Sequence, residues 1–113
     1  MTDTMISRTE SLPDGMLACV NGDVDLSRSP TLRYELLELA KRKPQRLVVD
    51  LSGVNYMDSS GVATLIETLQ AQRKGGGKMV LCGLQPKVRS IFEIARLDAV
   101  FKIAADCDAA KTI

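Results

Sequence analysis

Short apolar runs alternate with amphipathic stretches along this chain of 113 residues, and the alternation predicts its elements one by one. Met16 to Val20 reads as a strand and ends in the turn-rich Asn21-Gly22-Asp23. A weaker strand is expected before it, around Met5 to Thr9, paired through a Pro13-Asp14-Gly15 turn. Leu32, Leu36, Leu39 and Ala40 then recur at helical spacing. Ser29 is expected to cap that helix, Pro30 to take its first position, Lys41, Arg42 and Lys43 to close its last turn, and Pro44 to stop it. Leu47 to Leu51 is a strand-type run. Val62, Leu65, Ile66 and Leu69 share one face of a second helix, which Gly75-Gly76-Gly77 ends. Met79 to Gly83 is another buried strand. Pro86 opens a third helix with Val88, Ile91, Phe92 and Ala95 inward, Ala99 to Ile103 reads as a last strand, and Asp106 to Ile113 is either a short tail helix or a frayed end.

The order is β-β-α-β-α-β-α-β. Strands alternating with helices predict crossover units, hence an α/β fold with a largely parallel or mixed sheet. The length suits one domain, residues 1–113, with a real core.

Composition narrows the function more than the fold. A formal charge of +1 removes any global electrostatic case for nucleic acid or acidic membranes. No apolar run approaches the roughly 20 residues of a bilayer span. The stretch MTDTMISRTESLPDG lacks the basic-then-apolar pattern of a signal peptide, so cytoplasmic residence is the expectation. Cys19, Cys82 and Cys107 form no CxxC pair. The first two sit in apolar segments, where a thiol serves as a small hydrophobe. Histidine is absent, which removes Ser-His and Cys-His nucleophile pairs and most zinc sites at once. The usual catalytic kit is missing, which leaves an enzyme open on the residues alone; a non-catalytic role with no cofactor or metal is the expectation.

Three motifs have bland explanations. The Lys41-Arg42-Lys43…Arg46 cluster resembles a nucleic-acid patch, but cations at a helix C-terminus are favoured by its dipole. Gly75-Gly76-Gly77-Lys78 follows a helix instead of a strand and has Met79 where a phosphate loop needs a hydroxyl. Asp23-Val24-Asp25 lacks the continuing ladder of oxygen ligands of a calcium loop.

Met57-Asp58-Ser59-Ser60-Gly61 is more specific. Asp58 or a serine can accept hydrogen bonds from the first turn of the helix, so the stretch reads as an N-cap. One cap needs one residue, however, and Gly61 costs helix propensity, which suggests that another molecule approaches the bare backbone there. A phosphoserine would also suit the place, facing the positive end of the dipole and free N–H donors, with Asp58 pushing it outward. Cap and modification site both remain open on the residues alone.

The run from Leu47 to Asp58-Ser59-Ser60-Gly61 resembles the anti-sigma-factor antagonists, which are single STAS domains. Gly22-Asp23-Val24-Asp25 is similar to the family's acidic turn before the first helix, the segment from Gly75 to Gly83 to its glycine-then-strand feature, and Pro86-Lys-Val-Arg-Ser-Ile-Phe to the start of its third helix. The resemblance implies a mixed sheet with helices mainly on one face and a role in partner switching. The unphosphorylated antagonist binds an anti-sigma factor that is also a serine kinase, and so frees the sigma factor. Phosphorylation by that kinase, using ATP, ends the contact, and a serine phosphatase restores it. The resemblance implies Ser59 as the phosphorylated residue, Ser60 as its helper in contact or cap, and Asp25 as an acid near the kinase-facing surface. Asp23, Met57, Asp58 and Gly61 belong to the same expected partner surface. No direct contact with nucleic acid or membrane is implied. A different role for such a domain is that of a constitutive subunit of a lipid-transport ATPase, with no phospho-switch. Small-ligand binding beside the motif has little support, because few aromatic or convergent polar residues lie near it.

Overall fold

A computed structural model describes residues 4–113; the first three residues of the N-terminal stretch considered above lie outside them. The elements are β1 (Ile6–Leu12), β2 (Gly15–Asn21), α1 (Ser29–Ala40), β3 (Arg46–Gly53), α2 (Ser59–Lys74), β4 (Lys78–Cys82), α3 (Pro86–Ile94), β5 (Lys102–Ile103) and α4 (Cys107–Ala110). The five strands form one sheet in sequence order. β1 and β2 make an antiparallel hairpin, while β2, β3, β4 and β5 run parallel. The sheet is therefore mixed, as expected.

Side chains along a strand alternate between faces, and the core divides accordingly. Ala18, Val20, Leu47, Val49, Leu51, Met79 and Leu81 point to one face, where α1 contributes Leu32, Leu36 and Leu39, α2 Val62, Leu65 and Leu69, and α3 Val88 and Phe92. Leu17, Val48, Val80 and Cys82 point to the other, which α4 covers with Ala110. Three helices lie on one face and a short tail helix on the second. That explains why β3 and β4 read as nearly unbroken apolar runs: both faces are covered.

Several expectations need correction. Ser29 does not cap α1; Arg28 is the N-cap residue, with no side-chain cap of its own, and Ser29 is already helical and buried. The reason is the preceding turn, where the Asp25 carbonyl accepts from the N–H groups of Arg28 and Ser29 at 3.1 and 2.8 Å. Lys41, Arg42 and Lys43 fall just past α1 instead of within its last turn. Arg46 belongs to no surface cluster. It opens β3, is 5% exposed, and donates to the Asp14 carboxylate at 2.9 Å and to the Ala110 and Ile113 carbonyls at 3.0 and 2.7 Å. Ala95 is exposed and lies beyond α3. The last strand is shorter than expected: Leu97–Ala99 form a 3-10 turn, and the N–H groups of Val100 and Phe101 both bond back to Leu97. Phe101 is buried edge-on against Phe92 at 5.5 Å, which anchors the chain before β5 begins.

Gly75-Gly76-Gly77 does end α2, with Gly76 in the left-handed region at φ 86°.

Candidate functional site

The loops that follow β2 and β3 emerge at the same edge of the sheet and are laced together. The Val24 N–H donates to Tyr56 at 2.9 Å and the Asp58 N–H to Val24 at 3.1 Å, which makes a parallel bridge between Val24 and Met57. Both of those side chains are buried. The two loops thus form one support, and α1 and α2 start from it.

On this support Asp58 is the N-cap of α2. Its Oδ1 accepts from the Ser60 N–H at 2.9 Å, the Ser60 hydroxyl at 2.5 Å and the Gly61 N–H at 3.4 Å. Its carbonyl accepts from the N–H groups of Gly61 and Val62. The Ser60 hydroxyl bond, then the Ser60, Gly61 and Leu26 backbone N–H groups, hold the Asp58 carboxyl below its ordinary value against a smaller opposing effect of burial. Asp25 has the same surroundings in the neighbouring loop. Its Oδ1 accepts from Ser27 N–H at 3.1 Å, Ser27 hydroxyl at 2.7 Å and Arg28 N–H at 3.0 Å. The Ser27 hydroxyl leads in lowering its carboxyl too.

Ser59 is the first residue of α2 and is exposed. Among the described residues its hydroxyl has no hydrogen-bond partner. The capping is done by Asp58, with Ser60 closing the ring. Exposed Leu26 and Tyr56 stand on the two loops beside it, and between the first halves of α1 and α2 an open groove of about 280 Å³ is lined by Ser29, Pro30, Arg33, Ser60, Thr64 and Glu67, among others. The Arg33 guanidinium pairs with the Glu67 carboxylate across that groove.

The expected surface residues separate into two groups. Asp23 and Ser59 are exposed, and Asp25, Asp58 and Ser60 are partly so. Met57 and Gly61 are buried and cannot touch a partner directly. Gly61 is required for an internal reason. A Cβ there would lie 2.7 Å from Met57 Cγ and 2.7 Å from Val24 Cγ1. The close approach is between α2 and its own support, not between α2 and another molecule. The free N–H donors expected for a phosphate are also largely taken, since Asp58 holds those of Ser60 and Gly61. A group on Ser59 would stand in solvent beside the Asp58 carboxylate. Leu26 and Tyr56 were missed in the sequence; the signal for them was their apolar character next to acidic turns. Asp25 is engaged by its own turn, and no cofactor or metal is needed to explain its geometry.

Residues 8–110 match the model of the STAS domain family. A Bordetella bronchiseptica protein described as a candidate anti-sigma factor antagonist, BtrV, is 35% identical over 98 residues, covering 86% of this chain and 84% of that protein. The anti-sigma-B factor antagonist of Bacillus subtilis is 31% identical over 86 residues, covering 76% of this chain and 78% of its own. The crystal structure of an anti-sigma factor antagonist from Mycobacterium paratuberculosis superposes with a TM-score of 0.84 at 26% identity, over 93% of this chain and 89% of that one.

Proposed function

The chain belongs to the STAS domain family, and from that premise we propose that it is an anti-sigma factor antagonist switched by phosphorylation of Ser59. In its unphosphorylated form it binds an anti-sigma factor that is also a serine kinase and so releases the sigma factor. The kinase transfers the γ-phosphoryl group of ATP to Ser59 Oγ; ADP leaves and the hydroxyl proton goes to solvent. The phosphorylated chain dissociates, and a serine phosphatase restores it by hydrolysis. The chain itself catalyses nothing, needs no cofactor and acts in the cytoplasm, away from membranes and DNA. Among the described residues no helix is long and apolar enough to cross a membrane.

The observation that carries this reading is the division of labour at the start of α2. Asp58 and Ser60 complete the cap, which leaves the exposed Ser59 hydroxyl with no part in holding the helix. A dianion there meets the positive end of the helix dipole, so the fold tolerates it, yet it puts two charges into the middle of any surface packed on Leu26, Tyr56 and the α1–α2 groove. Binding changes and the scaffold does not. The names of the relatives supply the class of partner.

The test is a pull-down from the native host with Ser59→Ala and Ser59→Glu baits side by side, with retained proteins identified by mass spectrometry. Ser59→Ala is expected to retain an ATP-binding serine kinase that Ser59→Glu loses, while both variants melt as the parent does. If both baits retain one transporter ATPase equally, the chain is a constitutive subunit and the switch is refuted.

A further inference from the structure

All three cysteines of the chain come together on the face of the sheet away from the proposed switch. Cys82 ends β4 and is buried; Cys107 opens α4 and is partly exposed; Cys19 lies on β2. Asp50, on β3 between them, takes the Cys19 thiol at 3.7 Å, and its backbone is in register with both Cys19 and Cys82. The Cys82 and Cys107 sulfurs are 2.6 Å apart. Widely separated residues with no CxxC spacing are thus brought into contact by the fold.

We propose that Cys82 and Cys107 form a reversible disulfide that fastens α4 to β4, with a low-molecular-weight disulfide of the glutathione class as the oxidant. A disulfide needs the sulfurs at about 2.05 Å, a small movement from their present positions. The competing use of the same donors, a zinc ion held by Asp50, Cys82 and Cys107, needs Zn–S bonds of about 2.3 Å and therefore sulfurs roughly 3.7 Å apart. The observed contact is much nearer the first arrangement. Cys19 is the spectator, paired with Asp50 and approached by the Arg8 guanidinium at 3.6 Å.

The order of events follows from exposure. Cys107, the accessible thiol, loses its proton and its thiolate attacks the external disulfide, which gives a mixed disulfide and one released small thiolate. Cys82 then loses its proton and attacks the Cys107 sulfur, expelling the second small thiolate. Two protein thiols are oxidised, one external disulfide is reduced to two thiols, and the two protons end on the released thiolates. Burial raises both protein thiols above their ordinary values, with the Asp50 carboxylate adding to the effect, so exchange is slow at neutral pH. The product ties down a helix whose Ala110 carbonyl already receives Arg46. This inference does not depend on the proposed function, and its failure leaves the phospho-switch untouched.

The full chain is reduced, freed of reductant, exposed to oxidised glutathione, acid-quenched, denatured and alkylated. Before oxidation three thiols are labelled; afterwards only Cys19 is expected to be, with a Cys82–Cys107 linked peptide in the digest and full recovery after dithiothreitol. Cys107→Ser, a nearly isosteric change at a partly exposed residue, should leave Cys82 labelled under the same treatment. Three labels remaining on oxidant-treated protein with native circular dichroism would overturn the inference. So would a link through Cys19, or one equivalent of zinc bound by the purified chain and protecting Cys82 and Cys107 from alkylation.

Discussion

Asp25-Leu26-Ser27 and Asp58-Ser59-Ser60 fold into the same turn, each at the mouth of a helix. In both, an aspartate Oδ1 gathers the N–H and the hydroxyl of the serine two places on, and the N–H of the residue after that. In both, the middle residue is turned outward. It is Leu26 in the first, 76% exposed, and Ser59 in the second. Since the aspartate and the serine two places on hold each turn closed, the fold places little demand on the middle residue. An outward leucine contributes little to a monomer and much to a contact; an outward serine adds a hydroxyl that can carry charge. The two turns share a hydrogen-bonding pattern, which caps α2 in one and braces the approach to α1 in the other, and they differ at the one position that pattern leaves open.

They also differ behind the cap. The α2 turn rests on Val24 and Met57 through Gly61, and the largest effect is expected there. Gly61→Val puts carbon atoms where Met57 and Val24 already are, and should cost about 3 kcal/mol by denaturant unfolding, near the top of the overpacking range. A loss below about 0.5 kcal/mol, the usual size for an unconstrained surface site, would mean that the support yields and that Gly61 has another purpose.

Removing the two carboxylates should rank next, and unequally. Asp58 caps the 16-residue α2 directly, whereas Asp25 braces a turn one step before α1. Asp58→Ala is therefore expected to lower Tm by more than Asp25→Ala does, and the opposite order would break the comparison. The acid limb gives the same test without a cavity. Both carboxyls are held below their ordinary values when folded, so their contribution is complete above the unfolded carboxylate range, about pH 4, and is lost as pH falls through the lower folded values. The Tm gap between the parent and Asp58→Asn should be steady at neutral pH and close below about pH 4. A gap that persists in acid would assign the effect to shape instead of charge.

The legible part of this molecule is what depends on neighbours in sequence. The stripe Val62, Leu65, Ile66, Leu69 gave α2, the Pro13-Asp14-Gly15 turn gave the first hairpin, and Asp58 was in view as a cap. What escaped depends on residues far apart along the chain. Gly61 looked like an opening for a partner because Val24, which fills the space, lies in a different loop. Arg46 looked like one more surface cation because its acceptors, Asp14, Ala110 and Ile113, come from both ends of the chain. Cys82 and Cys107 looked unrelated for the same reason. The helix start at Ser29 was misplaced by local chemistry, since a serine before a proline satisfies every rule for a cap while the Asp25 turn had already begun the helix.

The smallest expected effects on stability bear most on function. Leu26→Ala and Ser59→Ala each change the middle residue of one turn and leave its hydrogen bonds intact. Both should unfold within about 0.5 kcal/mol of the parent, as substitutions at unconstrained surface positions do. Their effects on the partner should then separate. On the proposed function, Leu26→Ala removes apolar contact area beside the proposed switch, so its affinity for an anti-sigma factor should fall while Ser59 still accepts phosphate. Ser59→Ala should keep its affinity and accept no phosphate. Calorimetry against the kinase retained in the pull-down, followed by phosphorylation with labelled ATP, measures both. If Leu26→Ala binds as the parent does, the contact lies along α2 and its groove instead of across the two turns. If Ser59→Ala is still phosphorylated, the acceptor is another hydroxyl, and were it Ser60, Asp58 would have to release the group that now closes its cap.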